Sequence, residues 1–133
     1  MKYVIDCSFS SALFLPDEKS DHARNFFINL KQADQVLVPS LWWHETTNVL
    51  NVATKRKRLS FNDASTVMEL LGKLPLETDI IYGAQYLKDV FEITQLYGLS
   101  SYDAAYIELA LRTRSKLMSL DRGMISAIKN IGL

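Results

Sequence analysis

The sequence predicts an α/β domain: a three-layer fold with a central parallel sheet of four or five strands and helices on both faces. Three observations lead there. Short apolar runs at Tyr3-Val4-Ile5, Val36-Leu37-Val38 and Leu117-Met118 read as buried parallel strands. Helical stretches separate them, as in βαβ units with right-handed crossovers. Acidic residues stand at the ends of the first and last runs, Asp6 and Asp121, and ligand sites in open α/β sheets collect outside the carboxyl ends of strands.

The elements follow in order. Lys2 to Asp6 is a strand. Ser8 starts a short helix that runs to Leu15 and that Pro16 helps to end. Asp21 to Ala33 carries Phe26, Phe27 and Leu30 at helical spacing. Val36 to Val38 is a second strand closed by Pro39. Ser40 is placed to cap a long helix from Leu41 to about Arg58, with Trp42, Thr46, Val49 and Ala53 on one face and Glu45 at its edge, in the opening turn. Ser60 caps Phe61 to Gly72, whose first turn is acidic at Asp63. Leu74 to Leu76 is a brief third strand. Ile80 to Tyr97 is helical and stops at Gly98; Ser100 opens the helix of Asp103 to Arg112. Lys116 to Leu120 is the fourth strand, and Met124 to Ile131 the closing helix.

At 133 residues the chain reads as one domain spanning 1–133, and a domain of this size buries roughly two-thirds of its unfolded surface. The single cysteine, Cys7, cannot form an internal disulfide and reads as a small core residue. No basic, apolar leader is visible at the N-terminus, and no uncharged run approaches the roughly 20 residues needed to cross a bilayer. These features lead us to expect a cytoplasmic protein. Fifteen basic and fifteen acidic residues give a net charge of zero, so a polyanion would have to meet a local patch.

Several chemistries lack their motifs. His22 and His44 have no second imidazole or CxxC partner at zinc spacing. There is no GxGxxG, no Walker loop and no G-x-S-x-G elbow. The basic run Lys55-Arg56-Lys57-Arg58 ends a helix, where cations meet the last carbonyls, and this reading is preferred to RNA contact. Trp42, Trp43, Phe26 and Phe27 sit at apolar helical spacing and read as core or interface. Asp17, Glu18, Asp63, Asp89, Glu92 and Glu108 are assigned to solvated faces.

Four acids remain. If the first and fourth strands are neighbours, Asp6 and Asp121 emerge side by side, while Asp103 and Glu45 stand near the starts of helices at the same end of the sheet. Each also has an ordinary explanation, capping a helix or meeting its dipole. Together, however, ionised carboxylates repel: two unit charges about 4 Å apart cost roughly 4 kcal/mol at an effective dielectric near 20. A divalent cation resolves the conflict, and all-oxygen ligation suits Mg²⁺ or Mn²⁺. Such an ion can activate a water for in-line attack on a phosphodiester.

The segments Val4-Ile5-Asp6-Cys7-Ser8, Val38-Pro39 through Glu45 to Asn48-Val49-Leu50, Tyr102-Asp103-Ala104-Ala105-Tyr106 and Ser119-Leu120-Asp121-Arg122 resemble, in that order, a PIN-domain ribonuclease of the VapC toxin type. The resemblance runs nearly end to end. It implies catalytic roles for Asp6, Glu45, Asp103 and Asp121. Asp6 and Asp103 would ligate Mg²⁺, Asp121 would complete the site directly or through water, and Glu45 would position water or a second ion. Ser8 and Ser119 match small polar positions that could fix a carboxylate's direction. The family also implies an RNA substrate, a homodimer and a cognate antitoxin. It often adds one more strand, whereas this sequence ends at Ile131-Gly132-Leu133. Two other readings stand beside it: a catalytically silent PIN-fold module that binds RNA or protein, and a PIN-like nuclease acting on DNA.

Overall fold

The computed structural model describes residues 1–15 and 20–133. Its elements are β1 (Lys2–Ile5), α1 (Cys7–Ser11), α2 (Ser20–Ile28), β2 (Gln35–Pro39), α3 (Leu41–Lys55), α4 (Phe61–Gly72), β3 (Leu76–Asp79), α5 (Ala84–Tyr97), α6 (Ser101–Thr113), β4 (Lys116–Met118) and α7 (Arg122–Ile131). The sheet order is β3-β2-β1-β4 and every pairing is parallel. Successive residues of a strand point to opposite faces. Val4 and Ile5 are both 0% exposed, so helices cover both faces of β1.

The expected α/β/α architecture is present, with four strands; no fifth strand occurs among the described residues. Gly132, at φ +85°, ends α7 just before the last residue. The pairing of Ile5 with Met118 continues in a bond from the Asp6 N–H to the Met118 carbonyl, 3.1 Å. Asp6 therefore leaves β1 beside the residues that leave β4.

Several boundaries differ from expectation. α1 stops at Ser11, because the Leu13 and Phe14 amides turn back to Ser10 and Ser11 carbonyls; the expected stop at Pro16, and Asp17 and Glu18, lie outside the described residues. α2 ends at Ile28, well short of Ala33, and the chain then turns where the Asp34 carboxylate receives the Lys31 amide at 2.9 Å and the terminal ammonium of Met1 at 2.9 Å. Ser40 is not a side-chain cap: its backbone is already helical and its hydroxyl takes no first-turn amide. β3 is Leu76–Asp79 rather than Leu74–Leu76. It is an edge strand of sequence LETD, exposed in its middle, so no apolar run announces it. Ile80 to Tyr82 precede α5, which starts only after Gly83 at φ +109°. β4 stops at Met118 because the Ser119 hydroxyl accepts the Asp121 amide at 3.0 Å and turns the chain. The caps at Ser60, Ser100 and Gly98 are as expected.

The buried face of α3 is Trp42, Thr46, Leu50 and Ala53, with Val49 only half-buried. Trp42 is 0% exposed, and its Nε1 donates to Ser10 Oγ at 3.0 Å. Glu108 is not on a solvated face. It is 5% exposed, and Arg112 reaches it through Nε at 2.6 Å while also clamping Asp79 of the edge strand at 2.6 Å. A buried carboxylate persists only with such a partner. Arg112→Met should therefore destabilise the protein by about 2 kcal/mol, less than for a fully buried pair because the guanidinium meets solvent. Chemical denaturation measures it, and an unchanged midpoint would show that Glu108 needs no counter-charge.

Candidate metal centre at the carboxyl end of the sheet

Asp6 is the buried member of the acid set, 6% exposed. It stands at the N-cap of α1, where Oδ1 accepts the Phe9 amide at 3.0 Å and the Ser8 hydroxyl at 2.6 Å. Oδ2 accepts the Ser119 hydroxyl. The two serines are themselves held: Ser8 Oγ receives the Leu120 amide at 3.0 Å and lies 3.2 Å from Ser119 Oγ. Thus the turn after β4 grips the carboxylate that follows β1. With two donors on Oδ1 and one on Oδ2, the remaining lone pair of Oδ2 is the position from which Asp6 could meet a cation.

The other acids surround it at longer range. Asp121 is the N-cap of α7, its Oδ2 accepting the Met124 amide at 2.9 Å. Asp103 lies in the first turn of α6, half-buried, behind the Ser100 cap. Glu45 is the fifth residue of α3, one turn past the opening turn in which it was expected. Its Oε1 accepts the Tyr106 hydroxyl at 2.5 Å.

Electrostatics ties the four into a ring. Burial pushes the Asp6 carboxyl up, the Ser119, Ser8 and Phe9 donors oppose that, and the Asp121 charge adds to it. Burial raises Glu45 against the Tyr106 bond, with Asp103 and Asp6 contributing repulsion. Burial and the Asp121 charge raise Asp103, opposed by Ser100. Glu45 thus feels two others of the set, while Asp6 and Asp103 each feel the charge of Asp121.

The donor set is all oxygen and negatively charged, which fits a hard divalent cation. Among the described residues no three acidic, histidine or cysteine side chains are gathered tightly enough to ligate one ion by themselves. The arrangement fits an ion that keeps several waters, as Mg²⁺ does, better than a closed protein cage.

Two concavities flank α3. One, about 450 Å³, is lined by Cys7, Ser8, Glu45, Asn48 and Asp121 among others; of the four acids it takes in Glu45 and Asp121, not Asp6 or Asp103. The second, about 480 Å³ and largely apolar, runs between α3 and α4 past Trp43, Leu50, Phe61 and Met68. Of the two tryptophans read as core or interface, Trp42 is core and Trp43 meets solvent, at 43%. Sequence reasoning gave Tyr106 and Asn48 no role. The available signal for Tyr106 was a hydroxyl on the otherwise apolar stretch Ala104-Ala105-Tyr106-Ile107, one turn beyond Asp103.

The PIN domain family matches residues 3–130. Ribonuclease VapC3 from Pyrobaculum aerophilum is 34% identical over 122 residues, 92% of this chain and 91% of that protein. Among solved structures, VapC20 of Mycobacterium tuberculosis, described as a Sarcin-Ricin loop cleaving toxin, superposes with a TM-score of 0.69 at 14% identity, covering 94% of each chain. FitAcB from Neisseria gonorrhoeae gives a TM-score of 0.67 at 12% identity, covering 96% of this chain and 93% of that one.

The ring of acids has a thermodynamic consequence without metal. Carboxyls whose folded pKa lies above the ordinary 3.8 of Asp or 4.5 of Glu bind more protons folded than unfolded. Their protonation supports the fold below those ordinary values, and the support is lost as pH rises through the raised ones. In EDTA, Asp103→Asn should therefore be more stable than wild type at pH 7 by roughly 0.5–1 kcal/mol after solvent screening, and the gap should close on acidification towards pH 4. Millimolar Mg²⁺ should reverse the ranking, because the wild type alone gains full binding energy. Melting curves in EDTA and Mg²⁺ decide it; a variant less stable in EDTA, with both proteins indifferent to Mg²⁺, would contradict a shared pocket.

Proposed function

We propose, from the premise that this chain belongs to the PIN-domain family and to its VapC ribonuclease type, that it is a Mg²⁺-dependent endoribonuclease, with Mn²⁺ able to substitute, and the toxin of a toxin–antitoxin pair. The observation that carries the reading is the cluster of four acids, in which charge repulsion adds to burial at Asp6, Glu45 and Asp103, with Asp6 pinned in one orientation by Ser8 and Ser119. A group held that rigidly at a cost in repulsion is expected where a cation is to be bound. Asp6 and Asp103 would hold the ion, with Asp121 completing the site directly or through water. A bound divalent cation supplies charge neutralisation and Lewis acidity at the scissile phosphate.

The chain's own groups do the rest. Ser8 and Ser119 keep the Asp6 carboxylate from rotating. Glu45, half-buried at the cavity wall, positions the attacking water and can take its proton. With no net charge to draw RNA in, substrate choice falls to shape and to unpaired bases around the pocket.

An antitoxin segment has two places to bind. The α3–α4 groove suits an amphipathic helix. The acids on the opposite flank of α3 suit a basic side chain, so the segment would have to cross that helix to reach both. Pairing of two copies is supported by the exposed apolar residues of α5, Leu87 at 67% and Phe91 at 61%. Among the described residues no helix is long and apolar enough to cross a membrane, and we place the protein in the cytoplasm.

RNA cleavage should require Mg²⁺ or Mn²⁺, and Asp6→Asn or Asp103→Asn should lower it at least about a hundredfold. Products should carry 5′-phosphate and 3′-hydroxyl ends, since water and not the 2′-hydroxyl attacks, and a matched DNA strand should stay intact. Activity in EDTA or cyclic-phosphate ends would rule out the proposed chemistry. Cleavage of DNA alone would transfer it to another substrate, and lack of both Mg²⁺ binding and cleavage would leave a silent binding module.

A further inference from the structure

The hydroxyl of Tyr106 is the single side-chain link, among the described residues, between the helix of Asp103 and the carboxylate of Glu45. Tyr106 is 1% exposed, in the middle of the fully buried stretch Ala104 to Ala110 of α6, and lies one helical turn beyond Asp103. Its hydroxyl crosses to α3, 61 residues away in sequence, to donate to Oε1 of Glu45 at 2.5 Å, the length of a charge-assisted O–H···O⁻ bond. Among the described residues no donor reaches Oε2. The nearby Cys7 thiol, 3.7 Å from Thr46 Oγ1, contributes no bond to Glu45.

We infer that Tyr106 is a positioning residue, which takes one oxygen of Glu45 so that the carboxylate holds a single orientation with Oε2 towards the acid-lined cavity. The inference rests on the ribonuclease reading for what that orientation accomplishes, though not for the orientation itself. A buried aromatic ring would pack as well without its oxygen. A polar atom there is costly unless its bond is made. Burial, with the Glu45 carboxylate next in effect, holds the phenol pKa up, so it remains a donor wherever Glu45 is ionised. The same bond couples the helix of Asp103 to Glu45, so displacement of α6 would be felt at Glu45.

The test uses wild type, Tyr106→Phe, Glu45→Gln and the double variant. With RNA at saturating Mg²⁺, Tyr106→Phe should lose about tenfold or more in kcat with KM unchanged, the scale for losing a partner that orients a site group. The double variant should be no worse than Glu45→Gln, because Tyr106 acts only through Glu45. A Tyr106→Phe enzyme with full kcat, or losses that multiply in the double variant, would overturn the inference. The orientation is read separately in crystals of the metal-free proteins: Glu45 should occupy one rotamer in wild type and several in Tyr106→Phe, and a single unchanged rotamer in both would overturn the inference whether or not RNA is cleaved. Failure of wild type itself to cleave RNA would count against the ribonuclease reading alone.

Discussion

The pairing of β4 beside β1 is the constraint on which the site depends. In-register parallel strands bring the residue after Ile5 next to the residue after Met118, and that juxtaposition lets Ser119 and Ser8 close on one carboxylate. Asp6 caps α1 and lies buried, yet its charge is tolerated because two hydroxyls and one amide donate to it, and the turn after β4 holds the two hydroxyls in place. Removing the turn after β4 would leave Oδ2 of this desolvated carboxylate without its donor, which costs more than the bond contributes when present.

The same acids serve two purposes. Asp6 and Asp121 each cap the helix that follows them, so the ordinary structural role of a strand-end aspartate is real here and coexists with the cluster. What distinguishes the cluster is its repulsion: a cap needs one carboxylate and one helix, whereas here the charge of Asp121 raises Asp6 and Asp103, and Asp103 and Asp6 raise Glu45. α3 and α6 complete the frame. α3 divides the acid cavity from an apolar groove and presents Glu45 to one and Trp43 to the other. α6 carries Asp103 at its start and Arg112 near its end, where the clamp on Asp79 ties it to the edge strand.

Much of this was legible in the residues, because apolar strand runs and cap-forming serines act locally. Asp6 and Asp121 were readable as strand-end acids, since a parallel sheet leaves few places for them to go, whereas a supporting role for Ser8 and Ser119 came only with the family resemblance. Other features depend on contacts between distant segments. Leu76 to Asp79 looks unlike a strand because an edge strand needs no apolar alternation. Glu108 looks solvent-facing until Arg112 and Asp79 are seen around it. Trp42 reads as core or interface alike until Ser10 is found beneath its indole nitrogen. The Tyr106–Glu45 bond joins residues 61 apart, and beyond a lone hydroxyl on an apolar stretch neither helix by itself marks it.

Anomalous diffraction from crystals soaked in Mn²⁺ tests the central claim most directly, because it locates a divalent cation without reference to catalysis. A shared acidic pocket predicts a peak among Asp6, Asp103 and Asp121, in contact with Oδ2 of Asp6, that disappears in Asp6→Asn. A well-occupied peak elsewhere with none among these carboxylates, or none at any Mn²⁺ concentration the folded protein tolerates, would contradict it.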